Sequence, residues 1–271
     1  MNVTFFCKMT ALIRAQNDYC HPPKNLDVRV WRYMPVEHFE SLLEEGVFFA
    51  RSNLFDDQRE GSATHRQAWS NRFPPLMARS SRTGVRKPIT EFFGDHGRWN
   101  RQWVCVSCWH MNEVESDAMW KLYAPAGKAV CVQSTFRRLD ESLHSALPDL
   151  ESPMVGVVRY IDHATDVIPS QAILAAYFHK SLEYAHEREV RAILWDLPVD
   201  EQFVPRRIRI DAVPENDGWP VPVADLNHLI EHVYVVRRSS AELAARVGAA
   251  MDKHQVTAPL SRSSLETPGV Y

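Results

Sequence analysis

Long apolar runs are missing from this sequence of 271 residues. Nothing in it approaches the roughly 18 consecutive apolar residues of a membrane-spanning helix. The opening MNVTFFCKMTALIRAQNDYC is broken by Lys8 and Arg14, and it lacks the apolar segment and small-residue cleavage site of a secretory leader. Cysteine is scarce and odd in number, five in all, which argues against a disulfide framework. The expected location is cytoplasmic, with no membrane partner. An excess of charge of one sign is also missing: 31 basic residues face 34 acidic ones. No global field therefore favours nucleic acid or an anionic surface.

Several chemical signatures are absent too. There is no GxxxxGK(S/T) phosphate loop, no GxGxxG, no HExxH and no GxSxG. These absences argue against P-loop NTPases, Rossmann dehydrogenases, zincin proteases and α/β-hydrolases.

What is present is ordinary globular composition, with 45% hydrophobic and 24% charged residues. That excludes wholesale disorder and supplies a core. Residues 1–25 look like an N-terminal extension, set off by Pro22-Pro23, and 26–271 like one domain. Val28 to Tyr33 has the β-branched and aromatic content of a strand. Pro35 then opens a helix whose apolar face is Phe39, Leu42 and Leu43, with Gly46 as its C-cap. Val47 to Ala50 is a second strand, and Asn53 to Gly61 a polar loop. His65 to Arg72 has helical character. Arg79 to Pro88 is basic and reads as a mobile surface loop.

In Trp103 to Trp109, alternation places Trp103, Cys105, Ser107 and Trp109 on one face and Val104, Val106 and Cys108 on the other. A short helix follows from Ser116 to Tyr123, then a strand from Lys128 to Gln133 and a helix from Thr135 to Ser145. Val155 to Tyr160 is expected to be a strand and Ile173 to His186 a helix. Further strands are expected at Glu189 to Trp195, Arg206 to Ile210 and His232 to Val236. Leu226 to Ile230 is a short turn or helix, Ala241 to His254 a last helix, and Pro259 to Leu265 an edge strand. Strands and helices do not alternate regularly. The expected fold is therefore α+β, around a mixed, largely antiparallel sheet with surrounding helices.

Three motifs carry candidate chemistry. Cys105-Val-Ser-Cys108 is a lone CxxC whose thiols point to opposite faces, a poor start for a tetrahedral metal site. Asp56-Asp57 with Glu60 is an acidic group that suits either a cation or a turn. Glu187-Arg-Glu189-Val-Arg191 stands where a helix gives way to a strand. Two carboxylates on one face repel each other, which raises one pKa for proton transfer, and they suit an oxocarbenium-like centre.

Further residues form a larger pattern: Trp31-Arg32-Tyr33, Phe48-Phe49-Ala50, Asn53-Leu-Phe-Asp56-Asp57 and Glu60-Gly61. Val106-Ser107-Cys108-Trp109, Met119-Trp120-Lys-Leu-Tyr123-Ala124, Val130-Cys-Val132, Val158-Arg-Tyr160 and Lys180 continue it to the Glu187–Arg191 motif, and Leu229-Ile230 and Ser263-Ser264-Leu265 close it. In these the chain resembles a bacterial family of unknown function associated with phage-defence loci, with a layout similar to the ADP-ribosyltransferase superfamily. The resemblance implies an enzyme that takes NAD as substrate, cleaves the nicotinamide–ribose bond and passes ADP-ribose to an acceptor, protein or nucleic acid among them. It implies Glu189 as the catalytic carboxylate, with Glu187 as its partner. Arg32, with Tyr33 beside it, and Ser107 would hold NAD, and Trp109, Trp120 and Tyr123 would stack on its rings. The Ser-Thr-Ser pattern of that superfamily is missing, with Ser107 alone in its place. Two other classes fit the residues. One is a metal-dependent nuclease using Asp56, Asp57, Glu60, Glu187 and Glu189. The other is a ligand-sensing module without catalysis.

Overall fold

The computed structural model describes residues 19–57, 59–62, 64, 77–79, 86–88, 97–123, 128–146, 153–168, 173–200, 207–209 and 211–265. Its centre is a sheet of nine strands among the described residues. In chain order these are β1 (Arg29–Pro35), β2 (Val47–Arg51), β3 (Val104–Met111), β4 (Ala129–Thr135), β5 (Met154–Val157), β6 (Glu189–Trp195), β7 (Gly218–Val221), β8 (His232–Val235) and β9 (Leu260–Arg262). All pairings are antiparallel except β8 with β9. The fold is thus α+β around a mixed, largely antiparallel sheet.

The sheet branches at β3. One edge of β3 pairs with β6 along its whole length, from Glu189 opposite His110 to Trp195 opposite Val104. The other edge is shared. β2 pairs at Cys105 and Val106, and β1 pairs at His110 and Met111. Between them, residues 107–109 pair with no strand on that side among the described residues, so the sheet splits there.

Side-chain alternation divides the molecule into two packed faces. On one face, Val30, Met34, Cys105, Trp109, Val190 and Ala192 pack with helix residues. Those residues come from α1 (Val36–Glu45), α3 (Phe136–Ala146) and α4 (Ala241–Lys253), namely Phe39, Leu42, Leu139, Leu143, Leu243 and Val247. The other face carries two smaller clusters. Val104, Val106 and Ile193 meet Tyr19, Leu174, Tyr177 and Phe178. Trp31, Tyr33 and Cys131 meet Met119 and Trp120 of α2 (Asp117–Tyr123). Each such Leu, Ile or Phe contributes roughly 1.5–3 kcal/mol by leaving water.

Local chemistry sets the turns. Gly46, at φ 106°, ends α1 by donating to the Leu42 carbonyl. A Cβ there would lie 2.0 Å from the Val221 carbonyl oxygen, so β7 can close against this corner only if it is glycine. Ser116 Oγ accepts from Met119 N–H at 3.4 Å, capping α2.

Several expectations are corrected. Tyr19 and Cys20 are not extension: Tyr19 is buried, and the Cys20 thiol donates to the Val155 carbonyl at 3.3 Å. The expected helix from Ile173 to His186 is instead two 3-10 segments, Ile173–Phe178 and Leu182–Glu187, around a strand at His179–Ser181. That strand pairs in parallel with Arg159–Ile161, and this pairing overrides the helical spacing of Leu174, Phe178 and Leu182. Leu182 is 55% exposed, so it never joined an apolar face. The ends of the basic Arg79–Pro88 stretch pair as a hairpin, Met77–Arg79 with Arg86–Pro88. The expected helix at 65–72, the tip of that basic stretch and Cys7 lie outside the described residues. β7 has no counterpart in the sequence reading, because Gly218 and Pro220 disguise an edge strand.

Candidate functional site

The split places Arg32 first. Its guanidinium crosses the gap in the sheet, donating to Ser107 Oγ on β3 and, at 2.9 Å, to the Phe48 carbonyl on β2. It lies over the Trp109 ring, 5.6 Å from the centroid. Ser107 Oγ also accepts from the Trp109 indole at 3.3 Å. Arg32 makes no ion pair among the described residues. Burial draws its pKa down to about 10, with Cys108 and Tyr123 pulling the other way. A half-buried cation without a counter-ion is costly and favours an anion at that point.

The opposite edge of β3 carries the carboxylates. The Leu182–Glu187 segment ends at Arg188, a non-glycine residue in the left-handed region at φ 42°. Such a conformation costs of order 1–3 kcal/mol and persists only where the surroundings fix it. Here Met111 N–H donates to the Arg188 carbonyl at 2.8 Å. His110 Nδ1 donates to the Glu187 carbonyl at 2.5 Å, and Glu189 N–H to the Tyr160 hydroxyl at 2.8 Å. The bend brings the two glutamates to one cation. Lys180 Nζ is 2.5 Å from Glu187 Oε2 and 3.5 Å from Glu189 Oε2.

A second cation lies behind them. Arg191 is fully buried, and its Nη2 meets Glu189 Oε2 at 3.1 Å. The same guanidinium grips Glu60 with both ends, Nη1 to Oε1 and Nη2 to Oε2 at 2.9 Å, and Nη1 donates to the Tyr177 carbonyl at 2.6 Å. Burial pushes the Glu189 carboxyl up, but Arg191 and Lys180 outweigh it and hold the group below the ordinary glutamate range. Burial raises Glu60 against the pull of Arg191. The repulsion expected to raise a pKa in the Glu187–Glu189 pair does not govern Glu189, because two cations sit against it.

The expected site residues fall into separate groups. Arg32, Ser107 and Trp109 come together at the split, and Glu187 and Glu189 come together around Lys180. Tyr123 joins the second group, half-exposed, its hydroxyl pushed up to about 12 by burial and by Cys108, Glu187 and Glu189. Tyr33 and Trp120 do not line the site. Tyr33 packs edge-on against Trp120 at 5.1 Å and accepts from Ser116 N–H, while the Trp120 indole donates to Glu115. Both are buried in the cluster under α2. Trp109 is 1% exposed, and its face lies under Arg32. These three rings support the site from within the core, and Tyr123 is the expected ring that lies open beside the carboxylates.

No protein-family model matches the sequence, and no curated protein matches it. Similar solved structures are those of DarT from Thermus sp. 2.9. The form in complex with NAD+ is 11% identical, over 89% of this chain and 96% of that one, with a TM-score of 0.36. The form in complex with ADP-ribosylated ssDNA is 12% identical, over 90% and 96%, with a TM-score of 0.34. The role of each residue here follows from this chain's own contacts.

Arg32 and Glu189 do not touch, but Cys108 and Tyr123 are electrostatic neighbours of both. Cys108 lies on β3 between them, opposite Arg191. Sequence reasoning left Lys180 and Arg191 outside the core of the site, and Glu60 inside a turn motif. The Arg191–Glu60 pair joins residues 131 apart, which no local spacing reveals. The acidic group dissolves on folding. Asp56 is exposed, Asp57 Oδ1 accepts from Arg59 N–H at 2.8 Å, and Glu60 turns inward to Arg191. Among the described residues no group of three or more His, Cys, Asp or Glu side chains is placed to hold a metal ion. An open groove of about 620 Å³ lies elsewhere, between Asp27, Arg137, Arg138, Glu141, His228 and Glu231. Among its ionic groups Arg137 pairs with Asp27, Arg138 with Glu231 and His228 with Glu141, while Arg29 donates to the Glu113 carbonyl at 2.8 Å.

Proposed function

We propose that the chain is an NAD-dependent ADP-ribosyltransferase-like enzyme. The observation that carries this reading is the pairing of two unlike features on either edge of one strand: Arg32 in a split of the sheet, with no ion pair among the described residues, and beyond it a buried Glu189 held by Lys180 and Arg191. A dinucleotide offers both complements, an anionic diphosphate and a sugar on which positive charge develops. Arg32, fixed by Ser107 and the Phe48 carbonyl, holds the diphosphate. Tyr123 packs against a ring at the mouth of the site.

The bond that breaks joins the ribose C1′ to the nicotinamide nitrogen. Both electrons leave with the nitrogen, so nicotinamide departs neutral and the sugar becomes cationic. Glu189 stabilises that charge and accepts from a ribose hydroxyl. Its Oε2 is held by Lys180 and Arg191, and the Cys108 thiol also hydrogen-bonds the carboxylate. The acceptor then bonds to C1′ and loses its proton to Glu187. The resemblance noted in the sequence makes such an effector one of the defence or toxin type.

The nuclease reading needs the carboxylates to converge on a cation. Lys180 and Arg191 already pair with one oxygen of Glu187, one of Glu189 and both of Glu60, and Asp56 and Asp57 stand apart.

The test is incubation with NAD+ labelled in the adenylate moiety. Label is expected on protein, nucleic acid or released ADP-ribose, and its destination names the acceptor. Absence of both label transfer and NAD+ binding sinks the reading and leaves a sensing module in its place.

A further inference from the structure

The buried ionic chain contains a residue that the proposed chemistry does not use. Glu60 is 2% exposed and lies on a turn remote in sequence from β6. The turn is built to deliver it. Asp57 Oδ1 accepts from Arg59 N–H, and Glu60 N–H donates to the Asp57 carbonyl at 3.1 Å. Gly61, at φ 67°, lets the chain lie directly on Tyr177, where a Cβ would come within 2.4 Å of the ring. Tyr177 in turn gives its carbonyl to Arg191. Glu60 and Tyr177 thus hold the Arg191 guanidinium from behind, and its remaining bond goes to Glu189 Oε2.

Buried ion pairs are poor stabilisers compared with apolar side chains of equal volume. An apolar pair would fill this space as well, but it would not fix one carboxylate oxygen of Glu189. We propose that Glu60 is a positioning residue, which through Arg191 fixes the direction of the Glu189 carboxylate. This rests on the reading of Glu189 as the reacting carboxylate. The groups facing Glu189 are Lys180, Arg191, Cys108, Glu187, Glu60 and Tyr123, with the Tyr160 hydroxyl at its backbone N–H.

The test compares wild type, Glu60→Gln and Glu60→Asp in protein carrying ¹³C at the glutamate carboxyls, with Glu189→Gln to assign the Glu189 signal. Glu60→Gln keeps the shape but gives up one of the two oxygens that grip Arg191, so Arg191 is no longer fixed against Glu189. The Glu189 carboxyl resonance, read above the titration of both glutamates, is expected to shift, and Glu60→Asp to return it towards wild type. Nicotinamide release should show kcat about 10- to 100-fold lower in Glu60→Gln, with KM for NAD+ within about threefold, as for a misaligned catalytic group. An unchanged resonance and an unchanged kcat, with only a lower melting temperature, overturn the proposal. If wild type releases no nicotinamide, the NAD reading fails, and the resonance still decides on Glu60. If Glu60→Gln does not fold, Glu60→Asp carries the comparison. It retains the charge but falls one methylene short, so its kcat is expected to drop at constant KM, and an undiminished kcat overturns the proposal.

Discussion

Two arginines of this fold, Arg32 and Arg51, illustrate how much a side chain's partners reveal. Arg51 is 3% exposed and saturated: Asp196 at 2.9 Å, the Asn216 side chain at 2.9 Å and carbonyl at 2.7 Å, and the Gln102 carbonyl at 2.8 Å. It clamps β2 to the segment before β7 and to the end of β6, and nothing remains for a ligand. Among the described residues Arg32 has a hydroxyl and one carbonyl and no carboxylate. Arg51→Ala is therefore expected to cost about 1–3 kcal/mol of stability, because it leaves the Asn216 and Gln102 carbonyls without this donor, while Asp196 keeps the Trp219 indole. Arg32→Ala is expected to fold normally and to bind NAD+ roughly 10- to 100-fold more weakly, the loss of one or two charge-assisted bonds. Denaturant unfolding and calorimetric titration, run on both variants, separate the two roles. At this scale the family resemblance marks Arg32. It carries Lys180 and Glu60 in the same pattern but not their roles in the Glu189 network, which depend on partners that only the folded chain supplies.

At the scale of elements, what can be read depends on whether the signal is local. The alternation of Val104–Trp109 is local, and the two faces it implies are those observed. The helix expected over Ile173–His186 fails because its middle pairs with Arg159–Ile161, a contact the local pattern does not contain. The bend at Arg188 is of the same kind. Asn112 Oδ1 accepts from its guanidinium at 2.9 Å, while its backbone stays left-handed to carry Glu187 and Glu189 to Lys180. The corner at Gly46 is simpler to test. Gly46→Ala adds a Cβ into the Val221 carbonyl at a positive φ, and it is expected to destabilise by about 1–3 kcal/mol, read from the urea midpoint. Arg32 and the carboxylates are untouched by it, so NAD+ affinity should hold wherever the protein is folded.

For the whole molecule, the decisive feature is the split between β1 and β2 along β3. It arises from register, and register over long separations is not written in any local pattern. The carboxylate chain beside it also ties stability to pH. The folded-state pKa of Glu189 is lowered from 4.5, so its contribution is full above that pH and is lost as the pH falls through the lower folded value. The urea midpoint of wild type is expected to fall more steeply with acid below about pH 4.3 than that of Glu189→Gln. Equal slopes would show that Glu189 is not held ionised by Arg191 and Lys180. The most direct test of the central claim is nicotinamide release from NAD+ by wild type beside Glu189→Gln, with NAD+ binding measured on both. Release by wild type alone, with binding by both, is the predicted result. Binding with equal release by the two proteins, or no release and no binding by either, would contradict the account.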